Sequence, residues 1–241
     1  MKAIEDVDED IDAEDSNKSS TGETNNGNST EKSTTQLDSD VSNEEASMLT
    51  MTDLAGILRK ENETGKIYVR GYDKDGRSLM YMRPGNENTG NENNNMRHLV
   101  FQIEKAVRCS NKNGFGKICL VIDYEGFHIS KSPPMSTSKR TLEILQRHYC
   151  ERLHRAYICN PPFVFRSFYT IIKPFVDPVT KQKVCFCVGH KGLQQIVDDV
   201  GGKSVAHKSL EKCCGGEGDV REFDSAEYMS LPLSTAFDEE V

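Results

Sequence analysis

The sequence predicts an α/β fold: a mainly parallel β-sheet floor with flanking helices. Three observations carry that expectation. Residues 117–123 (KICLVID), 156–159 (AYIC) and 183–189 (KVCFCVG) are short apolar runs of the kind buried on both faces of a parallel sheet. Stretches with helical apolar spacing separate them, which implies right-handed crossovers. Upstream, two strand-like runs at 66–70 and 78–82 flank the turn sequence DKDGR at 73–77. Gly76 there supplies a positive φ, so the unit reads as a β-hairpin.

The remaining elements follow in order. Residues 51–61 suit one short helix. Residues 84–95 are rich in Gly and Asn and read as a loop. Leu99, Ile103, Ala106 and Val107 give a helix over 97–109, broken at 111–116. Leu142, Leu145, Tyr149 and Leu153 share one face of a helix over 136–153. Pro161-Pro162 opens a third helix, since Pro is tolerated in a first turn, and Pro174 ends it. Asp177-Pro178 starts a turn, and 192–200 forms a last short helix before the Gly201-Gly202 break.

Charge divides the chain. Residues 1–47 hold 14 acids and 3 lysines, a net of −11; the whole chain is −8, so the body carries +3. Such a polar segment buries too little apolar surface to offset its ordering entropy, and 1–47 is expected to be a disordered acidic tail. The expected organisation continues with a short helical linker at 48–65, a main domain at 66–205 and a C-terminal extension at 206–241. No run approaches 18 consecutive apolar residues, and the N-terminus has no secretory pattern. A cytoplasmic monomer with reduced cysteines is expected.

The residues argue against several function classes. Gly114-Phe115-Gly116-Lys117 is too short for a phosphate-binding loop and precedes a strand. HExxH and GxSxG are absent. Cys185-x-Cys187 puts two thiols on one side of a strand, Cys213-Cys214 are adjacent, and neither has zinc spacing. The six histidines are dispersed. The reading is therefore no enzyme, no cofactor and no metal. A body of only +3 behind an acidic tail also disfavours nucleic acid. One feature stands out. Phe163, Phe165, Phe168, Tyr169, Ile171 and Ile172 spread round much of the third helix. A helix on a sheet surface needs only one apolar stripe. Either this helix is fully buried, or it faces protein on one side and lipid on the other.

The stretch 151–183, ERLHRAYICNPPFVFRSFYTIIKPFVDPVTKQK, resembles the CRAL-TRIO lipid-binding domain in its Sec-fourteen-like phosphatidylinositol-transfer branch. The shared positions are Glu151, Asn160, Pro162, Phe163, Lys173-Pro174-Phe175, Asp177-Pro178, Thr180 and Lys183, in order. The DKDGR hairpin and Asp123-Tyr124-Glu125-Gly126 after a strand add to the likeness, which covers about 66–205. The resemblance implies a hydrophobic pocket over the sheet and a movable helix, about 163–175, that gates it. It implies a headgroup site at Glu151, Thr180 and Lys183. It assigns gate and pocket to Phe163, Phe165, Phe168, Tyr169, Ile172, Phe175, Phe101, Ile118, Leu120, Ile122, Ile158 and Phe186. The family's phosphatidylcholine-contacting Ser and Thr fall on Ile118 and Leu120, which disfavours a choline lipid. Most of the family's N-terminal helical subdomain is expected to be absent. The implied function is binding of one phospholipid, phosphatidylinositol first, with transient contact at a membrane surface. The alternatives are a carrier of another hydrophobic small molecule and a non-binding interaction domain.

Overall fold

The computed structural model describes residues 50–241 apart from 133, 219–222, 238, 240 and 241. The expected acidic tail lies outside the described residues.

Helix α1 (Met51–Asn62) starts at a capping box: the Thr50 side chain accepts from Asp53 N, and the Asp53 carboxylate accepts from Thr50 N. Strands β1 (Ile67–Tyr72) and β2 (Ser78–Met82) pair antiparallel. The Asp73 carboxylate accepts from Asp75 N and Arg77 N to close their turn, and Gly76 sits at φ +94°.

Helix α2 (Glu92–Lys112) is longer than 97–109. Asn91 caps it by accepting from Asn94 N, so the expected loop at 84–95 gives up its last residues to a helical turn. Strand β3 is Ile118–Asp123. Helix α3 (Met135–His148) is shorter than 136–153. The backbone leaves the helix at Tyr149, and Glu151 turns it at φ +60°. Leu153 therefore opens β4 (Leu153–Cys159), three residues before the expected start, instead of closing a helix.

Helix α4 (Val164–Ile172) is followed by a 3₁₀ turn at Lys173–Phe175 and the short α5 (Pro178–Lys181). Strand β5 is Val184–Cys187, and α6 (Gly189–Val200) begins three residues earlier than expected. Two further helices, α7 (Lys203–Ser209) and α8 (Ser225–Ser230), were not foreseen.

The five strands form one sheet in the order β1-β2-β3-β4-β5, parallel from β2 onward. Strand alternation divides the core. On one face Met80, Ile118, Leu120 and Ala156 pack against Leu99, Ile103 and Ala106 of α2. On the other, Tyr81, Val121, Tyr157 and Cys187 pack against Ile196 and Val200 of α6. Leu210, Cys214, Tyr228 and Phe237 complete that second layer, so the chain beyond 205 contributes core. Phe237 N donates to Val69 O, and Tyr228 OH accepts from Val69 N.

Candidate functional site

The first of the two faces is not filled. A cavity of about 310 Å³ lies between the sheet, α2, α3 and the segment 177–183. Met80, Ile118 and Leu120 form its floor, with Leu99 and Ile103 of α2 and Leu142 and Leu145 of α3 as walls. At one end the lining turns polar: Glu151, Arg152, Asp177, Thr180 and Lys183 converge there. The expected headgroup trio thus shares one cavity end, and Ile118 and Leu120 are on the apolar floor.

Local structure explains that convergence. Asp177 caps α5 by accepting from Thr180 N at 2.9 Å. Those Thr180 hydrogen bonds hold the Asp177 carboxyl below its ordinary range. Thr180 O in turn accepts from Lys183 N at 3.0 Å, and Lys183 O accepts from Ala156 N at 2.9 Å. The Lys183 backbone is therefore stitched to β4, and its side chain rises where the sheet begins. Arg152 Nη1 donates to Gly116 O at 3.0 Å. Tyr149, just past the end of α3 and lining the cavity, donates to Glu104, and burial with that carboxylate pushes its hydroxyl up to about 12.

Helix α4 covers the other end of the same sheet face. Phe165 is buried with ring centroids 4.8 Å from Tyr124 and 6.1 Å from Phe186, and Tyr169 stands 5.1 Å from Phe186. Phe168 is half-buried and Ile172 buried. Outward, Phe163 is 93% exposed, and Ile171 and Phe175 are about half exposed at 52% and 49%. The helix is thus apolar toward protein and toward solvent, which excludes the fully buried alternative. Its two ends are fastened differently. Asn160, at φ +52°, donates from Nδ2 to Asp123 Oδ1 at 2.9 Å before the Pro161-Pro162 lead-in. At the far end Gln146 of α3 donates to Phe175 O at 2.8 Å, and the Lys139 ammonium lies 4.4 Å from the Phe175 ring centroid.

Four expected pocket residues do not line the cavity. Phe101 is half-buried on α2. Ile122, Ile158 and Phe186 lie farther along the strands, and the α4 aromatics cover Phe186. The sequence reading missed Arg152, Asp177 and the whole α3 wall. Leu142, Leu145 and Tyr149 were legible as one helix face, but nothing local says that the face looks onto a void. Among the described residues no helix is long and apolar enough to cross a membrane.

Comparison with known proteins gives the following. A family model described as "CRAL/TRIO domain" matches residues 62–216. A CRAL-TRIO domain-containing protein of Schizosaccharomyces pombe is 40% identical over 129 residues, 54% of this chain and 13% of that protein. The phosphatidylinositol transfer protein PDR17 of Saccharomyces cerevisiae is 35% identical over 131 residues, 52% of this chain and 37% of its own length. The SEC14 cytosolic factor of Kluyveromyces lactis is 29% identical over 177 residues, 68% of this chain and 57% of its own length. The chain therefore spans between about an eighth and somewhat over half of these relatives. In three dimensions it is similar to the crystal structure of Sfh5, with a TM-score of 0.54 at 19% identity over 71% of this chain and 62% of that one. That likeness concerns the fold.

Proposed function

The chain belongs to the CRAL/TRIO domain family, and from that premise we propose that it holds one phospholipid, phosphatidylinositol first, and exchanges it at membrane surfaces. The observation that carries this reading is the cavity whose apolar floor ends in Glu151, Thr180 and Lys183. Lys183 is a point charge suited to a phosphate diester, and Arg152 in the same lining adds a second cation. The Thr180 hydroxyl and the carboxylates of Glu151 and Asp177 suit the hydroxyls of an inositol ring. Ile118 and Leu120 offer no polar atom to a choline headgroup. The named role of PDR17 as a phosphatidylinositol transfer protein is consistent with this choice.

The physical task is to avoid water. A two-chain lipid exposes about 30 methylenes at about 0.8 kcal/mol each, so free passage costs on the order of 25 kcal/mol. A volume of about 310 Å³ lies at the lower end of the roughly 300–1,000 Å³ that drug-sized ligands occupy. Both acyl chains need more. Swinging α4 away from Tyr124 and Phe186 joins the covered half of the sheet face, with Ile122 and Ile158, to the cavity. The outward Phe163 and Ile171 then enter the bilayer interface as the inner aromatics leave their seats. The protein acts as a cytoplasmic monomer that visits the membrane transiently, and binding without chemistry is its whole role.

Lipid extracted from the natively purified protein and identified by mass spectrometry tests the reading. Phosphatidylinositol is expected, and Lys183→Ala is expected to reduce its recovery at least tenfold, the scale of one lost charged hydrogen bond of about 1.5–3 kcal/mol. Unchanged recovery in that variant would mean the headgroup lies elsewhere. The cavity's small volume favours a second reading, a carrier of a smaller neutral hydrophobic molecule. Recovery of such a molecule alone selects it and removes the first.

A further inference from the structure

Charge is unevenly divided between the two sheet faces. The segments over the cavity, 135–152 and 163–183, hold 8 Lys and Arg against 3 acids, a net of +5. The stretch 192–241 holds 4 Lys and Arg against 11 acids, a net of −7. Its described part covers the opposite sheet face through Ile196, Leu210, Tyr228 and Phe237. The small net charge of the body therefore conceals a cationic side and an anionic side. The cationic side also carries exposed apolar groups: Phe163, Ile171, Phe175 and Val179 stand out to solvent along α4, the turn after it and α5. The two kinds of group are interleaved. The Lys139 ammonium of α3 rests over the Phe175 ring, and Lys173 and Lys181 stand two residues from Phe175 and Val179. Arg140 and Arg147, exposed on α3, pair with the exposed Glu92 and Glu143. Pairs of that kind contribute little in water, so both guanidinium groups remain available to a phosphate.

We propose that the side formed by α3, α4 and α5 is a docking surface for an anionic phospholipid bilayer, so that the chain chooses its membrane by surface charge. This rests on the membrane exchange proposed above and names the kind of membrane met. Charge complementarity selects the occupant. Lys and Arg side chains near an anionic leaflet each strengthen binding about fivefold, and the effect fades beyond a Debye length. Phe175 seated in the interface brings the Lys139 ammonium within that length, about 8 Å at physiological salt, of the lipid phosphates. The exposed apolar row separates a bilayer from other polyanions. A nucleic acid would meet the cations but leave Phe163 and Ile171 in water, whereas a bilayer interface takes both. The acidic stretch on the opposite face is repelled by the same leaflet, which turns the cavity side toward the membrane.

The test measures flotation of the full chain with two kinds of vesicle, phosphatidylcholine alone and a mixture of three parts phosphatidylcholine to one part phosphatidylserine. Binding to the mixed vesicles is expected to be at least about tenfold tighter, the scale of two cations near the leaflet, and to weaken at high salt. Lys139→Gln and Lys181→Gln keep side-chain length and helix propensity, and each is expected to weaken that binding about fivefold. Lys208→Gln, an exposed position on α7 over the opposite face, removes the same net charge and is expected to leave binding unchanged. Equal binding to the two vesicles, binding indifferent to salt, or an equal loss in Lys208→Gln each overturns the proposal. Lipid recovered from the same preparation would in those cases leave the carrier reading standing, so the two failures are told apart.

Discussion

Among the described residues, the two non-glycine positions with a positive φ are Glu151 at +60° and Asn160 at +52°. For an L-residue with a Cβ that region costs about 1–2 kcal/mol, and Asn tolerates it best. Asn160 has a compensation, its hydrogen bond to Asp123. Glu151 is exposed and caps nothing, yet it sits at the polar end of the cavity. The turn that Arg152 N closes on Tyr149 O requires that φ, and the headgroup role proposed for Glu151 accounts for a carboxylate standing there in place of Gly. Glu151→Gly is therefore expected to raise stability by up to about 1 kcal/mol while lowering lipid recovery. Denaturant titration and lipid extraction on the same preparation check both halves; a variant that loses stability removes the strain argument.

At the scale of the element, α4 carries aromatic residues with opposite duties on its two faces. Phe165 fills a seat between Tyr124 and Phe186, so Phe165→Ala is expected to cost about 3 kcal/mol. Phe163 is 93% exposed and anchors nothing in this arrangement. Phe163→Ala is expected to change stability by less than about 0.5 kcal/mol yet to slow lipid transfer between vesicles. Urea melts and a vesicle-to-vesicle transfer assay separate the two. Equal transfer rates in Phe163→Ala and the parent would show that this face never meets the bilayer. Helix α3 supplies both a cavity wall, through Leu142 and Leu145, and a clasp on the turn after α4, through Gln146 and Lys139.

The whole molecule's stability depends on acidity through a buried histidine. His98 of α2 lies with Nε2 3.0 Å from Asn62 Oδ1, and burial, helped by the nearby Lys66 ammonium, pushes it down to about 3. The unfolded chain protonates this ring near pH 6.5, and the folded chain does not until about 3. The stabilisation is therefore complete above 6.5 and is lost as pH falls toward 3, approaching about 1.4 kcal/mol per unit. His154, also lowered by burial, acts in the same direction. Urea unfolding at pH 7 and 5.5 checks this: His98→Gln is expected to flatten the dependence, and an unaltered slope would place its origin elsewhere.

The sequence by itself determined the α/β class, the hairpin, the parallel strands and the family to which the stretch 151–183 points, because these rest on local chemistry. Buried runs, a Gly-bearing turn, proline punctuation and an ordered string of residues can all be read along the chain. It also placed Glu151, Thr180 and Lys183 together through that resemblance, though no spacing rule does so. Only the tertiary structure decided the rest. Asn91 as a cap, the end of α3 at His148 and the strand start at Leu153 depend on hydrogen bonds that periodicity does not register. Tyr228 lies within a short, weakly patterned helix and Phe237 follows it, and both become core because the sheet face at β1 needs covering. The cavity is a void between α3 and the sheet, and the Lys139 ammonium over the Phe175 ring joins chain segments well apart in sequence. Empty space and long-range proximity are properties of packing, and a one-dimensional pattern carries neither.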